Sequence, residues 1–456
     1  MSFNTIGKTL SLVYGLFNPE TPNLGVIPFT PQKTHFAEGP ITNPLPRSTP
    51  EAQGIPSTTI ANYLRALYDD PTLNTHLIMV VRHGHVVVEA EFGSHLINVQ
   101  RTTFSACKSI TSMAIGALIT DGKLSIKDNV VDILKESIAP LDQVRFKDLT
   151  VEDLLTMRST ITFSESTAMV ETDWVHNCFS MPSKGKIGET FNYNSLNTYL
   201  LSAIVKAKTQ QGLYDYLNGR IFNELCITDV VWEKCPKGIE KGGWGLYIRP
   251  EDLAKLGMLA MHYGRYNGKQ LISEEYMRAA TTAHAKASES FGRSDYGYQF
   301  WCSRKENMFM FNGMFGQNVI CFPEQDIVVV TGAGNNEFFQ QSNLYATTVD
   351  YFCQSFEEKL NKNASAQKVL INVLKQITIA TPGLGYLPEK SQTEHLKEKL
   401  TELTKDVFSC ADENAASTSL FPVLLATTQN NYGSGVESIT SKAALLPSLS
   451  MSGINY

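Results

Sequence analysis

Two groups of strand-like segments stand far apart in this 456-residue chain, and helix-like segments fill the interval. Leu77-Ile78-Met79-Val80-Val81 and Val86-Val87-Val88 are β-branched runs on either side of His83-Gly84, the pattern of a β-hairpin over 77–92. Strand signals return at 296–302, 308–311, 318–322 and 326–331. In between, residues 105–121 place Ala106, Ile110, Met113, Ala114, Ala117 and Leu118 on one helical face, with Gly122 as the stop. Residues 123–290 read mostly as helices separated by polar loops. Strands that open and close a helical middle predict an α+β domain. Its antiparallel β-sheet is assembled from both ends, flanked by helices, and carries an all-helical subdomain over about 123–290.

That domain is expected to span 49–360, with further helices at 57–68, 196–206 and 341–359. Residues 1–48 are rich in Pro, Asn and Thr without periodicity and read as an extended arm. Beyond 360 a charged helix is expected around 389–405. After 409 the chain is rich in Ser, Thr, Asn and Ala, so 361–456 reads as a small, partly disordered appendage.

Composition narrows the partners. The net charge is −6 and no long basic run occurs, which points away from nucleic acid and anionic membranes. No apolar stretch reaches the length of about 18 residues that a spanning helix needs. The eight cysteines form no CxxC pair, so a thiolate zinc site is not expected. Several lie in apolar runs, such as Val319-Ile320-Cys321-Phe322, and read as buried thiols in a reducing compartment, which favours the cytoplasm. Lys8 followed by Leu10 to Phe17 has the outline of a weak signal sequence without a small-x-small cleavage site, so an exported form stays open. His83 and His85 read as part of a solvated turn, not as a metal pair.

Three segments carry chemistry. Ser105-Ala106-Cys107-Lys108 is a Ser-x-x-Lys at the start of a strong helix. Positions i and i+3 share a helical face, so Lys108 should stand beside the Ser105 hydroxyl. Burial and the positive end of the helix both favour the neutral amine that could take the serine proton. The same helix start offers the Ser105 backbone N–H to a developing oxyanion. By itself the motif reads rather as a capping serine with a surface lysine, and Ser183/Lys186 and Ser365/Lys368 share its spacing. Tyr193, in Phe191-Asn192-Tyr193-Asn194-Ser195 ahead of a helix, is a candidate shared base whose phenolate Lys108 would favour. Gly313-Met314-Phe315-Gly316 lies between two strand runs, where glycine permits the close backbone approach that an oxyanion N–H requires. A packing tyrosine and a plain hairpin turn are the alternatives for these last two.

In this order the segments resemble the class C β-lactamase, penicillin-binding protein and esterase superfamily, and within it the 6-aminohexanoate-dimer hydrolase branch. The likeness covers about residues 45–360 and extends to Asp121-Gly122-Lys123-Leu124-Ser125, Leu154-Leu155-Thr156-Met157-Arg158-Ser159 and Gly242-Gly243-Trp244-Gly245-Leu246. It implies an acyl-enzyme on Ser105, proton transfers shared by Lys108 and Tyr193, and a supporting hydrogen bond from Ser195. It places the oxyanion between the backbone N–H groups of Ser105 and Met314. No metal or organic cofactor is implied.

One departure bears on substrate. Relatives that act on β-lactams or D-peptides carry Lys-Thr-Gly or His-Thr-Gly on the strand before the oxyanion residue. Here it reads Phe309-Met310-Phe311-Asn312-Gly313, without the cation that would anchor a substrate carboxylate. The expected substrate is therefore an uncharged ester or small amide. Phe309, Phe311, Gly313, Asp173 and Trp174 are candidate substrate contacts, with core packing the alternative for the aromatic residues. A β-lactamase or D-Ala-D-Ala-type peptidase and a non-catalytic scaffold are the competing readings. Retention of Ser105, Lys108 and Tyr193 counts against the scaffold. Gly-x-Ser-x-Gly occurs nowhere, which counts against an α/β-hydrolase. A homo-oligomer is compatible with all of these.

Overall fold

In the computed structural model, which describes residues 41–379 apart from 94, 169–170, 288–293 and 336–342, the two groups of strands meet in one sheet. β1 (Thr75–Arg82) and β2 (His85–Glu91) form the expected hairpin, with left-handed His83 and Gly84 at its turn. The later strands are β3 (Ser294–Tyr296), β4 (Trp301–Ser303), β5 (Phe309–Gly313), β6 (Gln317–Phe322) and β7 (Ile327–Ala333). Their order is β2-β1-β7-β6-β5-β4-β3, and every neighbouring pair is antiparallel. β1 joins the two ends of the domain, with Val80 opposite Val88 on one side and Val329 on the other.

Alternation along the strands divides the core between two faces. Met79, Val81, Phe309, Phe311, Val319, Cys321, Val328 and Val330 point to one side, toward α2 (Cys107–Thr120) and the helical middle. Ile78, Val80, Met310, Ile320 and Val329 point to the other, toward α1 (Ser57–Asp69), α5 (Asn343–Phe352) and α6 (Ala364–Ile379). α2 is buried from Cys107 to Leu118, as a helix apolar all round must be. It ends in the Schellman pattern: Gly122 (φ 68°) donates to the Ile119 carbonyl and Lys123 to that of Leu118, at 3.0 and 2.9 Å.

The middle of the chain supplies α3 (Ser195–Thr209) and α4 (Pro250–Met261). It also carries short strands. Val231–Trp232 and Leu246–Ile248 join Arg101–Thr102 in a three-stranded ribbon, and Arg265–Tyr266 pairs with Lys269–Gln270.

At both ends the packed body extends past the expected boundaries. Leu45 is buried, and the arm docks on the sheet edge: Ser48 N–H donates to the Val86 carbonyl and Val86 N–H to that of Pro46, at 3.0 and 2.8 Å. α6 lies beyond 360, yet Ala366, Leu370, Val373 and Ile377 are buried, the last three in the core with α1. Their spacing is that of one helical face. The arm over 1–40, the helix expected at 389–405 and the Ser/Thr-rich tail lie outside the described residues. Among the described residues no helix is long and apolar enough to cross a membrane, and the seven cysteines are all free, five of them buried.

Candidate active site

Ser105 sits in a tight turn. Phe104 adopts φ 46°, and Phe104–Ala106 make one 3-10 turn ahead of α2, so the α-helix starts at Cys107 and not at Ser105. The i, i+3 geometry survives this change: Lys108 Nζ lies 2.7 Å from Ser105 Oγ. It also lies 2.7 Å from Ser195 Oγ and 2.9 Å from the Gly243 carbonyl oxygen. Ser105, Lys108 and Ser195 are all buried. The other two Ser-x-x-Lys pairs, Ser183/Lys186 and Ser365/Lys368, are exposed.

Each partner of Lys108 is held by its own element. Ser195 opens α3, where Asn194 is the cap: its Oδ1 accepts from the Leu196 N–H at 2.9 Å. Asn194 Nδ2 donates to the carbonyls of Ile161 and Phe163, both at 3.0 Å, which ties the loop before α3 to the segment after Ser159. Gly243 passes between α2 and α3. A Cβ there would stand 2.8 Å from the Ser195 carbonyl oxygen, so glycine is required for the approach. The preceding Gly242 carbonyl accepts from Thr111 Oγ1 at 2.8 Å and from Cys107 Sγ.

Tyr193 completes the cluster. Its buried hydroxyl lies close enough to that of Ser105 for the two to interact. Lys108 Nζ lies 5.1 Å from its ring centroid, and the ring packs against Trp301 and Tyr296 at 5.5 and 5.9 Å.

Burial sets the charges. It lowers the Lys108 pKa to about 8, against the opposing pull of the Glu165 carboxylate. It raises the Tyr193 hydroxyl far above its ordinary value. The expectation of a phenolate beside Lys108 is therefore corrected. Desolvation outweighs the stabilising contact with Ser105, and the Glu165 charge adds to the rise, so the neutral phenol is favoured at Tyr193. The Cys107 thiol, which donates to the Phe104 and Gly242 carbonyls, is pushed up to about 12 by burial and remains a thiol.

The strand edge meets this cluster at Gly313. A Cβ on Gly313 would come within 2.2 Å of the Thr103 carbonyl oxygen, two residues before Ser105. β4 pairs with β5 only at Phe309 and Met310, so the edge from 311 to 313 has no strand partner among the described residues. Met314 begins a 3-10 turn, and Phe315 (φ 61°) sets its ring edge-on to Phe104 at 5.4 Å. Gly313 and Met314 thus lie against the turn that carries Ser105.

Four candidate substrate contacts have partners of their own in the structure. Phe309 and Phe311 are buried in the core beneath the sheet, both edge-on to Phe300, because alternation turns them inward together. Trp174 is buried, stacked on Trp244 at 5.7 Å and donating to the Glu171 carbonyl at 2.8 Å. Asp173 caps the helix Trp174–Ser180 through the His176 N–H and pairs with Lys237.

Two residues not singled out in the sequence belong to the site's frame. Glu165 is fully buried, and its charge acts on both Lys108 and Tyr193. Gln299, also buried, donates from Nε2 to the carbonyls of Leu154 and Leu155 (3.0 and 2.9 Å) and accepts from Thr198 Oγ1 at 2.6 Å. Its backbone carbonyl accepts from Ser109 Oγ at 2.7 Å, so one residue ties α2 to α3. Among the described residues no group of three or more His, Cys, Asp or Glu side chains could hold a metal ion.

The chain matches the β-lactamase family over residues 60–341. It is 23% identical over 288 residues to the 6-aminohexanoate-dimer hydrolase of Paenarthrobacter ureafaciens, a match covering 56% of this chain and 71% of that protein. Among solved structures it is similar to EstCE1, described as a hydrolase with promiscuous acyltransferase activity (TM-score 0.56, 14% identity, 65% of this chain and 99% of that one). It is also similar to the octameric penicillin-binding protein homologue of Pyrococcus abyssi (TM-score 0.52, 19% identity, 66% and 78%). At these identities the solved structures speak to the fold alone, which is that of β-lactamases and transpeptidases. The family match spans well over half of the sequence, and the chain belongs to the β-lactamase family of serine hydrolases.

Proposed function

We propose that the protein cleaves uncharged esters or small amides through an acyl-enzyme on Ser105. The observation that carries this reading is the trio of contacts at Lys108 Nζ. A neutral amine has two N–H bonds and one lone pair. The Gly243 carbonyl can only accept, so it takes one N–H. Ser195 Oγ takes the other, which leaves the lone pair for the Ser105 hydroxyl proton. A pKa near 8 makes that neutral form accessible.

Ser105 Oγ then attacks the substrate carbonyl carbon as its proton passes to Lys108. The oxyanion lies between the N–H groups of Ser105 and Met314. Lys108 returns the proton to the leaving alkoxide or amine, with the neutral Tyr193 hydroxyl as the relay that touches Ser105. The acyl–Oγ bond remains. Water attacks it by the same route in reverse, and free Ser105 and the carboxylic acid result.

The relative named for 6-aminohexanoate-dimer hydrolysis and EstCE1, named for acyl transfer, agree with an acyl-enzyme. The cation-free β5 speaks against substrates held by a carboxylate, hence against β-lactams and D-Ala-D-Ala peptides. Stopped-flow hydrolysis of p-nitrophenyl butyrate tests the proposal. A burst of p-nitrophenol equal to the enzyme concentration, absent in Ser105→Ala, is the expected result. Equal turnover by wild type and Ser105→Ala would refute it. Steady cleavage of a chromogenic cephalosporin in place of the ester would restore the β-lactamase reading.

A further inference from the structure

Asn312 holds an acceptor that the fold leaves unused. The residue is 4% exposed, and its Oδ1 is buried without a hydrogen-bond partner among the described residues. The neighbouring hydrogen bonds fix which atom this is. The Gly316 carbonyl can only accept, so Thr331 Oγ1 donates to it at 2.7 Å. Thr331 Oγ1 then accepts from Asn318 Nδ2 at 3.1 Å. Asn318 Oδ1 in turn accepts from Asn312 Nδ2 at 2.6 Å. The relay runs one way, and it ends with the Asn312 oxygen outside it. A buried carbonyl oxygen in that state calls for a donor.

Its place in the sheet says where such a donor would come from. Met310 and Trp301 are register partners and share a face, and the Tyr193 ring lies 5.5 Å from Trp301. Asn312 is the next residue of Met310's row. It stands on the part of β5 that β4 leaves open, two residues before Met314, or about 6.6 Å along an extended strand. Asn312 and the Tyr193 ring therefore share this face of the sheet, beside the Gly313–Met314 edge that meets the Ser105 turn.

We propose that Asn312 Oδ1 accepts a hydrogen bond from a substrate N–H a few bonds from the scissile carbonyl, so that the enzyme selects acyl groups bearing such a donor. The inference rests on the acyl-enzyme reading of Ser105. The same oxygen would repel a substrate carboxylate at this position, in keeping with the cation-free strand.

A matched pair of p-nitrophenyl esters tests it: N-acetyl-β-alanyl and 5-oxohexanoyl, which differ only in N–H against CH2. In wild type the N–H ester should have the higher kcat/KM, by about tenfold or more after correction for alkaline hydrolysis. In Asn312→Ala that ratio should fall by about the same factor. Asn312→Thr, whose hydroxyl can still accept, should keep part of it and guards against a loss that merely reflects the broken contact to Asn318. Fluorophosphonate labelling of Ser105 is measured on the same samples. Full labelling with no preference in wild type, or with the same preference in wild type and Asn312→Ala, overturns the inference and leaves the hydrolase reading intact. No labelling of wild type overturns both.

Discussion

A lysine can act as a base only in the fraction of time it is neutral, and at this site burial and the Glu165 charge pull that fraction in opposite directions. Because Lys108 must lose its proton to work, activity should rise with pH through about 8 and level above it, a limb visible in kcat/KM against pH. Glu165→Gln removes the charge that favours the ammonium. The limb should then move to lower pH while the plateau changes little. A limb that stays in place would assign Glu165 to packing alone. Lys108→Ala and Tyr193→Phe should each cost about 10²–10⁴ in kcat, measured at the plateau. The cluster of Ser105, Lys108, Tyr193 and Ser195 was legible in the sequence because the relation among the four is local or rests on family resemblance. Ser105 and Lys108 are one helical turn apart, and Tyr193 and Ser195 flank a capping asparagine. Glu165 and Gln299 were not legible. Nothing near them in the chain marks them, and their roles arise only where distant segments bury them together. Trp174 and Phe311 are buried among other aromatic residues, the alternative the sequence already offered for them.

At the scale of elements, the site depends on two close backbone approaches, Gly243 between α2 and α3 and Gly313 against the Ser105 turn. Gly313→Ala must push β5 from the Thr103 carbonyl. It should abolish fluorophosphonate labelling of Ser105 in a protein whose far-ultraviolet circular dichroism is unchanged. Normal labelling would mean that the strand edge takes no part in the oxyanion site. Gln299→Ala strips a buried clamp and leaves the Thr198 hydroxyl without this acceptor, while the Leu154 and Leu155 carbonyls keep backbone N–H partners. A buried polar group left unsatisfied costs about 1–3 kcal/mol, and the loss should show as a lower urea midpoint. The element types and most of their spans followed from periodicity. The start of α2 did not, because the left-handed Phe104 that inserts a 3-10 turn before it leaves no trace in an apolar pattern.

For the whole molecule, a sheet closed by pairing β1 with β7 makes the fold depend on both ends of the domain at once. The strand pattern foretold that closure, but the change of composition after 360 hid α6. Its Leu370, Val373 and Ile377 repeat at helical spacing and complete the core on α1. Each contributes about 1.5–3 kcal/mol on burial. A chain ended at Leu360 should therefore melt well below one ended at Ile379, the last residue of α6. Equal melting temperatures would show α6 to be dispensable.

The most direct measurement is intact-mass spectrometry after exposure to a fluorophosphonate, with wild type and Ser105→Ala side by side. An activated serine at the head of α2 predicts a single adduct on wild type and none on the variant. Adducts on both proteins, or on neither, would contradict it.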